Sequence, residues 1–203
     1  MSARRGGLIL CLVRCGETPW DRDERLHGAT DLPLSNSGRA SVRADLDRTP
    51  ARRIGSVYHP PDEAATDTAR LITARFRARA KAIEELADPN LGLLEGLTHA
   101  VFEERFPKRA KQWHEDPLSL APPEGEELSV ARTRILHHMA RLSRRARGNE
   151  IAFVLHEFGV GVARAWLAPQ SGADVWAILE GRPRIERYLI GPGMVGELES
   201  AID

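Results

Sequence analysis

The sequence lacks three features that would place it quickly in a class of protein. No stretch approaches the about 20 consecutive apolar residues of a membrane span. Two cysteines in 203 residues are too few for a disulfide framework. Neither sign of charge is in excess, because 29 Lys and Arg residues balance 29 Asp and Glu residues. Binding to nucleic acid or to a membrane surface needs a basic excess, so we expect neither partner.

The two cysteines, Cys11 and Cys15, occupy one predicted extended segment. At the rise of a β-strand they lie roughly 13 Å apart, whereas a disulfide tolerates about 7 Å between Cα atoms. We therefore expect two free thiols and a reducing, cytoplasmic location. The N-terminal apolar stretch agrees with this location, because it runs directly into polar sequence without the small-residue cleavage site of a signal peptide.

Apolar runs of strand length alternate along the chain with segments of helical periodicity. The predicted strands are Leu8–Val13, Ile54–Tyr58, Lys81–Leu86, Ile151–Leu155, Ile185–Ile190 and Val195–Leu198. The predicted helices cover 37–46, 62–78, 126–146 and 159–167. This alternation predicts an α/β fold with a mostly parallel sheet. A hydrophobic content of 42% suffices for a buried core, and we expect a single domain over 1–203 with a helical and loop excursion at about 88–125.

The candidate functional residues follow from this fold class. Ligands of an open α/β sheet bind beyond the carboxyl ends of its parallel strands. The first residues after these strands are therefore the ones to examine. Arg14 and Cys15 follow the first predicted strand, His59 follows the second, and His156 and Glu157 follow the strand at 151–155.

Six segments carry motifs that occur in a fixed order. They are LVRCGETPW at 12–20, LHGATDLPLSNSGRA at 26–40, VYHPPDEAATDTA at 57–69, LADPNLGLLEGLT at 86–98, PPEGEE at 122–127 and FVLHEFGVGVARAWLA at 153–168. This ordered set resembles the motifs of the histidine phosphatase superfamily, the phosphoglycerate mutase-like proteins. The resemblance implies a three-layer fold with helices on both faces of the sheet.

The resemblance also implies a chemistry, which is phosphoryl transfer through a phosphohistidine. In this family one histidine attacks phosphorus, two arginines and a second histidine bind the phosphate oxygens, and a carboxylic acid protonates the leaving group. Carried over by position, the phosphate-binding residues are Arg14 and His156. Cys15 stands at the position of the nucleophile, and Asp88, one methylene shorter, stands at that of the acid. We expect no cofactor and no metal.

Four other positions depart from the family pattern and alter the implied pocket. Ala64 stands for the second arginine, Asp21 for an asparagine and Glu157 for a glycine, which makes the pocket three charges more negative. His59 stands for a serine. At an effective dielectric constant near 20, each repulsive contact costs a bound phosphate ~4 kcal/mol. We therefore expect a pseudoenzyme that keeps the fold, has lost phosphohistidine phosphatase and mutase activity, and has a binding or regulatory role.

Two other functions remain open. In the first, an active phosphatase or hydrolase acts on phosphate esters, with Cys15 as nucleophile and Asp88 as acid. Arg14 beside the cysteine favours the reactive thiolate, whereas the added carboxylates disfavour it. In the second, the cleft holds a divalent metal ion on four side chains, which are Cys15, His59, Asp88 and His156.

The sequence leaves two interpretations open for each of the two candidate phosphate-binding residues. Arg14 either binds an anion or pairs with Asp21 or Glu157. His156 either binds an anion or is held by a neighbouring carboxylate. The expected partner is a small anionic ligand or a protein, and the oligomeric state stays open, a homodimer included.

Overall fold

A five-stranded sheet forms the centre of the fold in the computed structural model, which describes residues 7–50, 53–146, 150–168, 183–191 and 193–196. The strands are β1 (Leu8–Arg14), β2 (Ser56–His59), β3 (Arg79–Ala82), β4 (Glu150–Leu155) and β5 (Ile185–Ile190). The helices are α1 (Pro19–Arg22), α2 (Asn36–Arg48), α3 (Glu63–Phe76), α4 (His99–Arg105), α5 (Pro107–Glu115), α6 (Leu128–Arg145) and α7 (Glu157–Leu167). None of the helices in these ranges combines the length and apolarity needed to cross a bilayer.

The strand order of the sheet is β3-β2-β4-β1-β5. The first four strands are parallel to their neighbours, and only β5 runs antiparallel, against β1. The predicted α/β fold with a mostly parallel sheet is therefore confirmed. The strands β4 and β1 pair from Ile9 opposite Glu150 to Arg14 opposite Leu155 at their carboxyl ends.

Helices cover both faces of the sheet, which makes three layers. Successive side chains of a strand point to opposite faces. On β1, Leu10 and Leu12 belong to a core that also contains the apolar residues of α6 and α7. Cys11 and Val13, between and beyond them, belong to a second core formed with α2 and α3. The three-layer arrangement implied by the family resemblance is confirmed.

Two of the predicted strands differ from the structure. The segment Lys81–Leu86 is only partly extended, because β3 ends at Ala82 and a 3-10 turn covers Glu84–Leu86. The turn places Leu86 in the core, fully buried. The predicted strand Val195–Leu198 is wrong where it can be judged, since residues 193–196 are helical and residues 197 and 198 lie outside the described residues.

The excursion at 88–125 contains α4, α5 and short 3-10 turns. It contributes buried apolar side chains to the core that α6 and α7 share with the sheet, among them Phe102, Trp113 and Leu120. Arg134 of α6 binds the segment that leads into the excursion, because its Nη1 donates hydrogen bonds of 3.0 Å to the carbonyl oxygens of Glu85 and Ala87. Asp88 directly follows Ala87, so these two hydrogen bonds restrict the position of its backbone.

Glu95 organises the loop that precedes the excursion's helices. Its Oε1 accepts hydrogen bonds of 2.9 Å from the amides of Ala29 and Leu91. Its Oε2 accepts a hydrogen bond from Thr30 Oγ1. One carboxylate therefore connects two loop segments that lie far apart in the sequence.

We predict that Glu95→Ala lowers the free energy of unfolding by about 1–3 kcal/mol, because it leaves the Ala29 and Leu91 amides without their acceptor. Urea denaturation followed by circular dichroism measures the difference. Glu104→Ala is the matched control, since Glu104 is exposed on α4 and its removal changes stability by at most about 0.5 kcal/mol. Equal effects of the two substitutions would contradict this role for Glu95.

Candidate functional site

A cleft of about 320 Å³ opens at the carboxyl ends of β1 and β4. Its lining consists of Arg14, Cys15, Gly16, Glu17, Asp21, Arg22, His156, Glu157 and Arg184. The register of the parallel pair places Cys15 beside His156, and the Cys15 amide donates a hydrogen bond of 2.8 Å to the Leu155 carbonyl. The cleft therefore lies at the edge of the sheet at which the sequence predicted the candidate functional residues.

Cys15 is a buried free thiol at the floor of this cleft. Its Sγ lies 3.5 Å from Thr68 Oγ1, which also accepts a hydrogen bond of 3.2 Å from the Gly16 amide. Cys11 is free as well, as predicted. Burial in the core raises the pKa of the Cys11 thiol to about 12, so this second thiol is unreactive.

His156 forms an ion pair with Asp62. The distance from His156 Nε2 to Asp62 Oδ1 is 3.0 Å. Asp62 also caps the N-terminus of α3, because its Oδ1 accepts a hydrogen bond of 2.9 Å from the Ala65 amide. Nε2 is thus bound to a carboxylate. Of the two roles expected for His156, the structure shows the contact with a neighbouring carboxylate.

The ion pair shifts the pKa of both partners. Burial alone would lower the pKa of His156, but the Cys15 sulfur and the hydrogen bond to Asp62 outweigh it and raise that pKa well above its ordinary value. Burial alone would raise the pKa of Asp62, but the hydrogen bond and charge of His156 outweigh it and lower that pKa. The charged state of the pair is therefore favoured around neutral pH.

Arg14 pairs with Glu157, one of the two carboxylates expected for it. The distance from Arg14 Nη1 to Glu157 Oε1 is 3.7 Å, a loose contact between side chains that keep 30% and 60% of their surface exposed. Although Glu157 is open to solvent on one side, desolvation by the cleft wall and the nearby Asp21 carboxylate raise its pKa against the opposing effect of Arg14.

Asp21 lines the cleft but belongs to the cap of the short helix α1. Its Oδ2 accepts hydrogen bonds from the Thr18 amide at 2.5 Å and from Thr18 Oγ1 at 2.8 Å. Thr18 Oγ1 in turn accepts a hydrogen bond from the Asp21 amide at 3.4 Å. The expected alternative pairing of Asp21 with Arg14 is wrong, because this reciprocal cap holds the carboxylate.

Asp88, at the position of the acid, binds the start of α7. Its two carboxyl oxygens accept hydrogen bonds from the amides of Phe158 at 3.2 Å and Gly159 at 2.9 Å. Burial nevertheless dominates these bonds and raises the pKa of Asp88. Asp88 lines a second cavity, of about 270 Å³, together with Asp62 and His156. His156 lines both cavities, whereas Cys15 lines the first and Asp88 the second.

His59 and Ala64 lie in neither cavity lining. His59 is buried, and its Nδ1 donates a hydrogen bond of 2.7 Å to the Pro60 carbonyl, while burial lowers its pKa. Ala64 is fully buried in the core beneath α3. The position implied for a second arginine therefore presents a methyl group to the core and no cation to the cleft.

The metal site considered from the sequence is wrong. It required Cys15, His59, Asp88 and His156 to meet around one ion. Within the ranges that the structure describes, no group of three His, Cys, Asp or Glu side chains is placed to hold a metal ion. His59 turns to its own backbone, and Asp88 turns to the amides of α7.

Comparisons with known proteins agree with the fold and the motifs. The profile of the family described as "Histidine phosphatase superfamily (branch 1)" matches residues 10–180. The chain belongs to this superfamily. It is 25% identical over 150 residues to "Phosphoglycerate mutase-like protein 4" of Arabidopsis thaliana, which covers 72% of this chain and 65% of that protein.

A second curated relative and a solved structure are also similar to the chain. The chain is 31% identical over 134 residues to "2,3-bisphosphoglycerate-dependent phosphoglycerate mutase 2" of Gloeobacter violaceus, covering 64% of this chain and 61% of the relative. The chain thus spans less than two thirds of the length of these two curated relatives. The solved structure of Bacillus stearothermophilus YhfR superposes with a TM-score of 0.80 at 22% identity, over 92% of this chain and 93% of that one.

The sequence did not predict the contacts of three residues of the site, which are Asp62, Thr68 and Arg184. Asp62 follows two prolines and precedes a helix, which is the signal of an N-cap, but nothing local indicates its contact with His156. Thr68 lies within a quoted motif without a role of its own. Arg184 is 169 residues from Cys15 in sequence, yet its Nη1 donates a hydrogen bond of 2.6 Å to the Cys15 carbonyl and its Nε one of 2.8 Å to Asp45 Oδ2.

We predict that the stability contributed by the Asp62–His156 pair depends on pH in both directions. The pKa of His156 is raised, so its contribution is complete below about pH 6.5 and is lost as the pH rises through the folded value. The pKa of Asp62 is lowered, so its contribution is complete above about pH 3.8 and is lost as the pH falls through the folded value.

Urea unfolding of the wild type and of Asp62→Asn across this range measures the effect. Between these two pH values the free energy of unfolding of the wild type should exceed that of the variant by about 2 kcal/mol. This difference should become smaller below and above that range. Asparagine still caps α3, so the helix is preserved. A difference that is constant with pH would show that the pair carries no charge.

Proposed function

We propose that this member of the superfamily has lost phosphohistidine-dependent phosphatase and mutase activity and is a pseudoenzyme with a binding or regulatory role. The observation that carries the proposal is the bond between His156 Nε2 and Asp62 Oδ1. A phosphate oxygen placed at that nitrogen would meet a carboxylate as well. The histidine at the position of a phosphate ligand therefore uses one of its two ring nitrogens for a contact within the protein.

The charges of the cleft support the same conclusion. Arg14 is paired with Glu157. Arg184 donates hydrogen bonds to Asp45, to Ser41 and to two backbone carbonyls. A phosphate dianion would need these cations, and each nearby carboxylate opposes it by ~4 kcal/mol at an effective dielectric constant near 20. Positioned positive charge supplies most of the rate in phosphoryl transfer, so its neutralisation removes both binding and catalysis.

The nucleophile also differs in kind. Cys15 replaces the histidine that the family resemblance requires, and its sulfur contacts Thr68 at 3.5 Å. A phosphatase that used Cys15 with Asp88 as acid is the second candidate, and the raised pKa of Asp88 favours it. Against it, both Asp88 oxygens are bound to α7, and Asp88 lines a different cavity from Cys15.

The ligand class follows from what the cleft has lost. A small anion of single charge or a segment of a protein partner fits the loosely paired Arg14 better than a phosphate dianion does. We further propose that the protein works in the cytoplasm, where its two free thiols stay reduced.

We predict negligible hydrolysis of p-nitrophenyl phosphate at neutral pH, because nucleophile and cationic clamp are both missing. Release of p-nitrophenolate measures the activity, with Cys15→Ser as the control. Turnover by the wild type that disappears in Cys15→Ser would overturn the proposal and establish the thiol mechanism.

We predict that repair requires several residues together. Cys15→His alone leaves the clamp absent, and Ala64→Arg alone leaves no phosphate acceptor. Addition of Asp62→Leu and Glu157→Gly to these two changes frees His156 and Arg14, so measurable hydrolysis should appear only as the changes are combined, since residues that act as one unit are strongly non-additive.

The repair series is assayed with the same ester and by detection of phosphohistidine at position 15. Thermal melting establishes that each variant is folded, because Ala64 lies in the core. A rate of hydrolysis by Cys15→His alone within about tenfold of the rate of the quadruple variant would show that the lost positive charge does not limit activity.

A further inference from the structure

We propose that Cys15, His156 and Asp62 form a nucleophile, base and orienting carboxylate that transfer acyl groups from small uncharged esters or thioesters to the Cys15 sulfur. This activity goes beyond the proposed function, in which the loss concerns only the phosphatase and mutase reactions at phosphorus. It assigns a reaction at carbon to the same cleft, and it names Asp62 as a positioning residue.

The backbone brings nucleophile and base together. The parallel register of β1 and β4 sets the first residue after β1 beside the first residue after β4, and the Cys15 amide bonds to the Leu155 carbonyl at 2.8 Å. The two side chains line one cleft, and Cys15 is one cause of the raised pKa of His156. A nucleophile within reach of a base is the first requirement of covalent catalysis.

The third member fixes the ring of the base. Asp62 Oδ1 lies 3.0 Å from His156 Nε2, which leaves the other nitrogen, Nδ1, for the thiol. The His27 ring packs edge-on against the His156 ring at 5.1 Å between centroids and limits its rotation. Cysteine hydrolases on unrelated folds use this order of thiol, imidazole and side-chain oxygen.

The charge of the cleft suits an acyl group better than a phosphate. An attacked carbonyl develops one negative charge on oxygen, and Arg14 is held by Glu157 only at 3.7 Å, beyond hydrogen-bond distance. Its guanidinium therefore keeps donors for that single charge. The remaining charged side chains of the lining are two arginines and two acids, which favours an uncharged substrate.

The reaction balances without a co-reactant other than water. At a pH above the raised pKa of His156, where the ring is neutral, Cys15 gives its proton to His156. The sulfur then attacks the acyl carbon, and the bond from that carbon to the leaving oxygen or sulfur breaks. The leaving group takes the proton from His156 and departs as an alcohol or thiol. Water then attacks the thioester while His156 accepts its proton, the carbon–sulfur bond breaks, and the sulfur recovers the proton as the carboxylic acid leaves.

The test uses the full chain and p-nitrophenyl acetate. We expect a burst of p-nitrophenolate that does not exceed one per chain and an acetyl group on the peptide containing Cys15. Cys11 serves as the internal control, because its buried thiol should stay unmodified. His156→Gln should slow acetylation by about 10²-fold or more, which is the usual contribution of a general base.

Asp62 is tested by a pair of substitutions. Asp62→Ala should slow acetylation strongly, and Asp62→Asn should recover much of the rate, since an amide oxygen can still accept from Nε2. The pH at which the rate rises should move lower in Asp62→Asn, because the carboxylate is one cause of the raised pKa of His156. The other ionisable groups near His156 are unchanged: Cys15, His27, Asp88 and Glu157.

Asp31→Asn is the matched control for Asp62. Asp31 lines the same second cavity and accepts a hydrogen bond of 2.7 Å from the Glu63 amide. It should leave both the rate and its pH profile unchanged. An unmodified Cys15, or acetylation at the wild-type rate in His156→Gln, would overturn the inference. Hydrolysis of p-nitrophenyl phosphate would instead overturn the proposed loss of phosphatase activity and leave this result standing on its own.

Discussion

The parallel pairing of β1 with β4 is the constraint on which the site depends. It places the first residues after two central strands side by side, and these residues are Cys15 and His156. Three further side chains lie near that pair. Asp62 approaches from the start of α3, Asp88 binds the start of α7, and Thr68 closes the floor below the sulfur.

Asp62 shows how one side chain joins local structure to the chemistry of a cleft. The carboxylate caps a helix and neutralises a histidine with the same oxygen, Oδ1. Its contribution to the helix keeps it in place, which makes it a rigid partner for the ring. A residue whose presence has a purely local reason in the sequence therefore determines the charge state of the site.

The sequence predicted the fold well because its signals are regular. The segment Ile151–Leu155 is a continuous apolar run, and such runs are typical of parallel strands that are buried on both faces. The prediction failed at Lys81–Leu86, where a short exposed edge strand gives way to a turn that buries a single leucine. The positions after the strands were predictable too, since topology fixes them. Their partners were not, because contacts such as Asp62 with His156 and Arg184 with Cys15 join residues 94 and 169 positions apart.

The hydrogen bond from Arg184 to the Cys15 carbonyl has a consequence for how the protein is made. Among the described strands β1 is synthesised first, yet its neighbours in the sheet, β4 and β5, begin at Glu150 and Ile185. Contacts of such long sequence separation form late and slowly. Until β4 and β5 have been synthesised, the chain therefore carries an apolar strand and the Cys15 thiol without their final neighbours. Chaperones bind and oxidants react with chains in that state.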